Sequence, residues 1–195
     1  LAIMTLPLLS WYFPAADIGR IILMQTAAGL GILVLGMGLD QAYIREYYAA
    51  ADKDTLFKTL FLPPLLSAAV MAAFLLSRPE MPSEILFSLD DSAAGIGLVL
   101  FALTVLLIRF LSLILRMEER AFAFSSAQLI PKLTVLPLLP LAVGLLHFPA
   151  RTATLGAVYT LANLAALALL LFQNRCRLKA AWRAPFSSAV LHRGL

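Results

Sequence analysis

An all-α integral membrane bundle follows from three features of this chain. Apolar residues dominate, at 62% against 13% charged, and the mean hydropathy is +0.91. A soluble domain is about half apolar and a quarter charged. The apolar residues gather in long runs, and one of them, 21–39, carries no charge at all. Uninterrupted runs of that length are what crosses a bilayer. None of the runs alternates apolar with polar residues, so no strand is expected.

Six membrane-crossing segments are predicted. The first, 1–13, is too short for a hydrocarbon core of ~30 Å, which needs about 20 residues. It is expected to be the remainder of a truncated helix. The second, 18–39, holds Gly29, Gly31, Gly36 and Gly38; small residues let helices in a membrane pack closely. The third, 60–76, has Pro63-Pro64 near its start. The fourth is 93–115. The fifth, 121–148, is broken by Pro131, Pro137 and Pro140. The sixth is 152–172, and 173–192 is read as a linker towards a second lobe beyond the chain. No loop is long enough to bury a core of its own, so function is expected inside the bundle or at its mouths.

Orientation comes from Lys and Arg. The connections 40–58, 109–120 and 173–193 hold Arg45, Lys53, Lys58, Arg109, Arg116, Arg120, Arg175, Arg177, Lys179, Arg183 and Arg193. The other side holds only Arg20, Arg78 and Arg151. The positive-inside bias makes the first side cytoplasmic, and the N-terminus with it.

Composition also excludes classes. A net charge of +4, with cations scattered at the ends of apolar runs, does not describe a nucleic-acid binder. Cys176 is the single cysteine, so intrachain disulfides and cysteine-based metal sites are out. The two histidines, His147 and His192, fall on opposite sides of the membrane, and no Ser-His-Asp, Cys-His or H-E-x-x-H pattern occurs. The chain is not expected to be an enzyme or to hold a metal or cofactor. Asp90-Asp91 reads as a helix start before Ala93 rather than a metal pair.

Charge inside the spans marks candidate sites. Arg109, Ser112 and Arg116 fall at i, i+3 and i+7, a polar stripe on the fourth segment. Two readings stand for Arg109: it faces an aqueous cavity, or it snorkels to the cytoplasmic headgroups. Ser125, Gln128 and Lys132 repeat the spacing on the fifth segment. Lys132 follows Pro131, which removes a backbone hydrogen bond. A cation at a mid-helix break is a functional candidate; the alternative is that this half of the helix projects from the membrane. Asn163 is expected to bond between helices. Asp40 is expected to pair locally, with Arg45 or a lysine of the next loop, and Arg20 beside Asp17 reads as an outer anchor.

The most distinctive stretch is Gly36-Met37-Gly38-Leu39-Asp40-Gln41-Ala42-Tyr43-Ile44-Arg45-Glu46-Tyr47-Tyr48. Tyrosines among charges at the end of an apolar run mark a membrane–water boundary. On a helix Gln41 and Arg45 share a face, and so do Tyr43 and Tyr47. Arg45 reads equally as a positive-inside anchor and as a headgroup contact.

This stretch resembles the segment after the second transmembrane helix of bacterial polysaccharide flippases. These are the Wzx-type exporters of the multidrug/oligosaccharidyl-lipid/polysaccharide superfamily. Residues 11–19, with Asp17 and Gly19, resemble the family's first loop. Residues 116–121 and 128–132 resemble its fourth loop and fifth helix. The resemblance implies one six-helix lobe of a transporter of twelve or more helices. It implies translocation of an undecaprenyl-pyrophosphate-linked oligosaccharide (an O-antigen, capsule or exopolysaccharide unit) from the inner to the outer leaflet of the bacterial inner membrane by alternating access. Its implied partners are the lipid bilayer, the lipid-linked oligosaccharide, a missing C-terminal lobe and a coupling proton or sodium ion. Cationic side chains suit a pyrophosphate. The expected contacts are Arg45, Arg109, Arg116, Lys132, Gln41, Gln128, Tyr43 and Tyr47, with Gly36, Gly38, Asp40 and Glu46 as structural motif. Competing expectations are a cation-coupled multidrug exporter of the same superfamily and a membrane-embedded glycan polymerase or ligase.

Overall fold

The computed structural model describes Pro7, residues 9–145 and residues 152–187. Among these the fold is all-helical: α1 Ala15–Gly36, α2 Leu39–Glu46, α3 Lys53–Leu76, α4 Glu80–Phe87, α5 Ser92–Met117, α6 Ala121–Pro140, α7 Thr152–Gln173 and α8 Arg175–Arg183. Five of them, α1, α3, α5, α6 with its continuation, and α7, are long and apolar enough to cross a membrane. Of the first expected segment, 1–13, only Pro7 and 9–13 are described. Leu9 and Phe13 are buried in one cluster with Ile21, Met24 and Phe101.

The helix ends follow local chemistry. Asp52 caps α3 by accepting from the backbone N–H groups of Asp54 (3.0 Å) and Thr55 (3.2 Å). Asp91 caps α5 in the same way, accepting from Ala93 at 2.9 Å and Ala94 at 3.3 Å. The paired aspartates thus include a helix start, as the sequence suggests. The span expected over 18–39 instead breaks early. Met37 and Gly38 are both left-handed, at φ 51° and 70°, and α2 sets off in a new direction. Two consecutive left-handed residues end an α-helix, and a glycine carries the larger φ at no steric cost.

α3 begins seven residues before the predicted span. Its first two turns, with Lys53, Asp54 and Lys58, are polar and extend past the apolar run. α6 keeps α geometry only to Pro140 and then becomes π-helical over Leu141–Leu145; residues 146–148 of the predicted span lie outside the described residues. Pro137 and Pro140 remove successive backbone donors, and a change of register is the usual response.

α5 is the axis of the bundle. It packs against α1, α2, α3, α4, α6 and α7, and its second half is buried almost continuously from Phe110 to Leu115. At its start Gly95 lies so close to Pro79 that an added Cβ would sit 1.7 Å from the Pro79 carbonyl oxygen. The short helix α4 is thereby pressed against α5. Two apolar cores result: one at the end that carries α2 and α8, and one at the end that carries α4.

Candidate functional site

The central cleft lies among α1, α5, α6 and α7 and has a volume of about 410 Å³. Its apolar walls are Gly29, Phe101, Val105, Pro131, Val135 and Ala162. Its polar groups are Gln25, Lys132, Tyr159 and Asn163. Each polar residue comes from the middle of its own helix. Lys132 is about 18 Å along the axis from Arg120 at 1.5 Å per residue. The Tyr159 and Gln25 side chains face the same space from α7 and α1. Asn163 was expected to bond between helices. Its Nδ2 instead donates to the Tyr159 carbonyl of its own helix at 2.9 Å, while the side chain lines the cleft. A mid-helix amide can satisfy itself on the preceding turn without reaching a neighbour. Ser125 and Gln128 are exposed on α6, on the stripe that leads to Lys132, but they do not line the cleft.

Arg109 is held in an ion pair that neither reading includes. Its Nη2 donates to Asp40 Oδ2 at 2.8 Å and its Nε to the same oxygen at 3.3 Å. The pair joins α5 to α2 across 69 positions. Asp40 therefore pairs not with Arg45 or a nearby lysine but with a cation from the axis helix. The physical reason is the break at Met37-Gly38, which turns the first residues of α2 towards α5. Arg45 bonds Glu46 at 3.3 Å on the exposed face of α2, where Gln41 is exposed too. The stripe Arg109, Ser112, Arg116 is split as well. Ser112 is buried and donates to the Arg109 carbonyl, while Arg116 is exposed.

Tyr43 and Tyr47 do share a face of α2, but that face points inward. Both are buried, edge-on to each other, and Tyr43 meets Phe57 of α3 at 5.8 Å between ring centroids. Burial, with the neighbouring Tyr47, pushes the Tyr43 phenol far above its ordinary range. The two rings are packed into the core at this end. Only Tyr48 of the three is exposed.

Around these rings lies an ion-pair cluster that the chain's local patterns do not announce. Arg177 of α8 donates to Glu118 at 2.6 Å and to Asp54 at 3.2 Å. Arg120 also approaches Glu118, at 3.8 Å. Lys53 sits 4.5 Å over the Tyr47 ring, and Lys58 donates to the Ala184 carbonyl at 2.7 Å. The hydrogen bond to Glu118 holds the Arg177 guanidinium more firmly protonated than usual. The stretch read as a linker is thus, over 175–183, a helix docked on this cluster. Its anchors are 59 to 126 positions away in sequence, so no local pattern encodes them.

At the opposite end, Asp17 is buried in the first turn of α1. It accepts from Arg20 at 2.9 Å and from Thr152 at 2.5 Å, and Arg20 also reaches Thr152. Arg20 is therefore a tie between α1 and α7. A wholly apolar groove of about 60 Å³ runs between α1, α3 and α5, past Gly31, Leu35, Ala68 and Leu103.

Of the residues expected to contact a substrate, the cleft takes in Lys132, with Gly29, Pro131 and Asn163 beside it. Arg45, Arg109, Arg116, Gln41 and Gln128 lie outside its lining. Gln25 and Tyr159 went unremarked because each looks like an isolated polar residue in an apolar run. Among the described residues no group of His, Cys, Asp and Glu is arranged to hold a metal ion. Compared with protein-family models, with curated proteins and with solved structures, the chain matches none.

Proposed function

We propose that this chain is one six-helix lobe of a flippase for an undecaprenyl-pyrophosphate-linked oligosaccharide. In this reading it sits in a bacterial inner membrane with its basic end and its N-terminus in the cytoplasm. The observation that supports the reading most is Lys132: an exposed ammonium in a cleft between four spanning helices, at the middle of a proline-broken helix. A cation at such depth is costly unless it meets water, a partner or an anion. An ammonium is a compact charge for phosphate oxygens, and Gln25, Tyr159 and Asn163 offer the donors and acceptors that sugar hydroxyls need. The cleft lies in the ~300–1,000 Å³ range of small-molecule sites, so this lobe holds part of a head group and a facing lobe completes it. The apolar groove beside α1 suits a hydrocarbon chain.

In its refined form the reading drops Arg109, whose charge Asp40 already offsets, and the two buried tyrosines. Arg45 and Arg116, exposed at the basic end, remain entrance contacts. No bond is made or broken; the work is translocation, coupled to an ion gradient.

The test is a set of Lys132 variants in the full-length gene, in cells that lack their own flippase. K132Q is expected to lower surface glycan by tenfold or more at equal protein level and to trap lipid-linked intermediates. A lost charge-assisted contact is worth about 1.5–3 kcal/mol, roughly 10- to 150-fold in binding. K132R, which keeps the charge, should retain most export. Wild-type export from K132Q would overturn the reading.

A further inference from the structure

Helix α8 has two faces, and only one is accounted for. Ala181 is buried and Arg177 points inward to Glu118 and Asp54. The opposite face carries Arg175, Lys179 and Arg183, spaced i, i+4 and i+8, all exposed. Such spacing keeps three side chains within a quarter turn of each other. Among the described residues no carboxylate pairs with any of the three.

The surroundings of this stripe are aromatic. Trp182 is 71% exposed, Phe172 is 64% exposed, and Phe186 is exposed beyond the helix end. Phe172 belongs to the last turn of the spanning helix α7, and the Arg175 guanidinium lies 4.7 Å over its ring. Arg175 is therefore held where a membrane-crossing helix ends. A face that met water alone would not need an exposed indole and two exposed phenyl rings; Trp and basic residues together are the composition of the headgroup layer.

The outward face is also fixed. Arg177 ties the middle of α8 to α3 and α5, Lys58 donates to the Trp182 and Ala184 carbonyls, and the Ser187 N–H donates to Thr59 at 3.2 Å. The stripe cannot turn inward without breaking these anchors.

We propose that α8 is a lipid-binding helix, whose stripe Arg175, Lys179 and Arg183 binds the phosphates of anionic phospholipids while Trp182 enters the headgroup layer. The partner is committed by charge: three exposed cations with no carboxylate partner among the described residues select a negative surface over a zwitterionic one, by roughly fivefold for each basic residue that reaches it. The inference is independent of what passes through the cleft.

Trp182 reports on the site directly. The chain has two tryptophans, so W11F leaves one indole. The W11F chain is reconstituted in nanodiscs, in which either phosphatidylglycerol or phosphatidylcholine carries brominated acyl chains that quench indole fluorescence. Quenching by the brominated phosphatidylglycerol is expected at a mole fraction at least fivefold lower than by the brominated phosphatidylcholine. In R175Q/K179Q/R183Q, which leaves the Arg177 anchor intact, the two lipids should come within twofold. Circular dichroism checks that both proteins are equally helical. Equal quenching by the two lipids in the parent protein would overturn the proposal, and so would a selectivity that survives the triple substitution. Full quenching by aqueous acrylamide, with none by either lipid, would make the stripe a face for water or for a cytoplasmic protein, and would overturn it too.

Discussion

Replacing Arg109 should cost more than replacing Asp40, although the two share one ion pair. The Asp40 side chain is 13% exposed and that of Arg109 is 46% exposed. R109Q strands a nearly buried carboxylate that keeps the Gln41 N–H at 2.9 Å. D40N strands a guanidinium that is half in solvent and can rehydrate. A hydrogen bond to a charged group is worth about 1.5–3 kcal/mol, while exposed pairs measure only ~0.2–1 kcal/mol. The half-exposed arginine sets this pair between them, so a coupling of about 1–1.5 kcal/mol is expected. R109Q should then cost about 2 kcal/mol, D40N about 1 kcal/mol, and the double variant less than 2 kcal/mol, because the second substitution removes the stranded group. The assay is a denaturant titration of helicity in mixed micelles, on all four proteins of the cycle. Additive losses to within about 0.3 kcal/mol, or D40N costing more than R109Q, would refute the reasoning.

Three further outcomes follow from the same packing. G95A drives a methyl group into the Pro79 carbonyl and should lose about 3 kcal/mol in the same titration, at the upper end of overpacking costs; wild-type stability would mean that α4 moves freely off α5. R177Q leaves Glu118 and Asp54 without their shared cation and should cost about 2 kcal/mol, with proteolysis of α8 accelerated and R177K intermediate. Tyr43 gives an alkaline signature. Burial raises its folded-state value above the ordinary 10.0, so the native state keeps a proton that the unfolded chain releases. Its contribution is intact below that pH and declines above it; Y43F should therefore lose less stability than wild type between about pH 10 and 11, read by parallel titrations.

What the sequence made legible is what hydropathy measures. The runs 93–115 and 152–172 lie within two residues of α5 and α7, because apolar length decides a span directly. Hydropathy sees hydrocarbon rather than helix, however. It missed the polar opening of α3, which starts at the Asp52 cap, and it read the charge-dense α8 as a linker. In the Gly36–Tyr48 stretch Tyr43 packs inward on Phe57, Tyr47 is buried beside it, and Asp40 holds an arginine from another helix. Such pairs join residues far apart, and no local pattern encodes them. Lys132 stood out because a cation beside a proline in an apolar run is anomalous wherever its neighbours lie. Gln25 and Tyr159 become meaningful only when four helices place them around the same space.

The separation of these partners also sets an order of events at the ribosome. Asp54 is 123 positions ahead of Arg177, and Lys58 is 126 ahead of the Ala184 carbonyl. At ~5–20 residues per second, Asp54 waits roughly 6–25 s for its guanidinium. α1 and α3 leave the translation machinery before α5, the helix that both pack against, exists. Each must persist in the lipid as a separate span through that interval, as strongly apolar helices do. The contacts that tie α3 to α8 at the basic end therefore close only after all five long helices have been made.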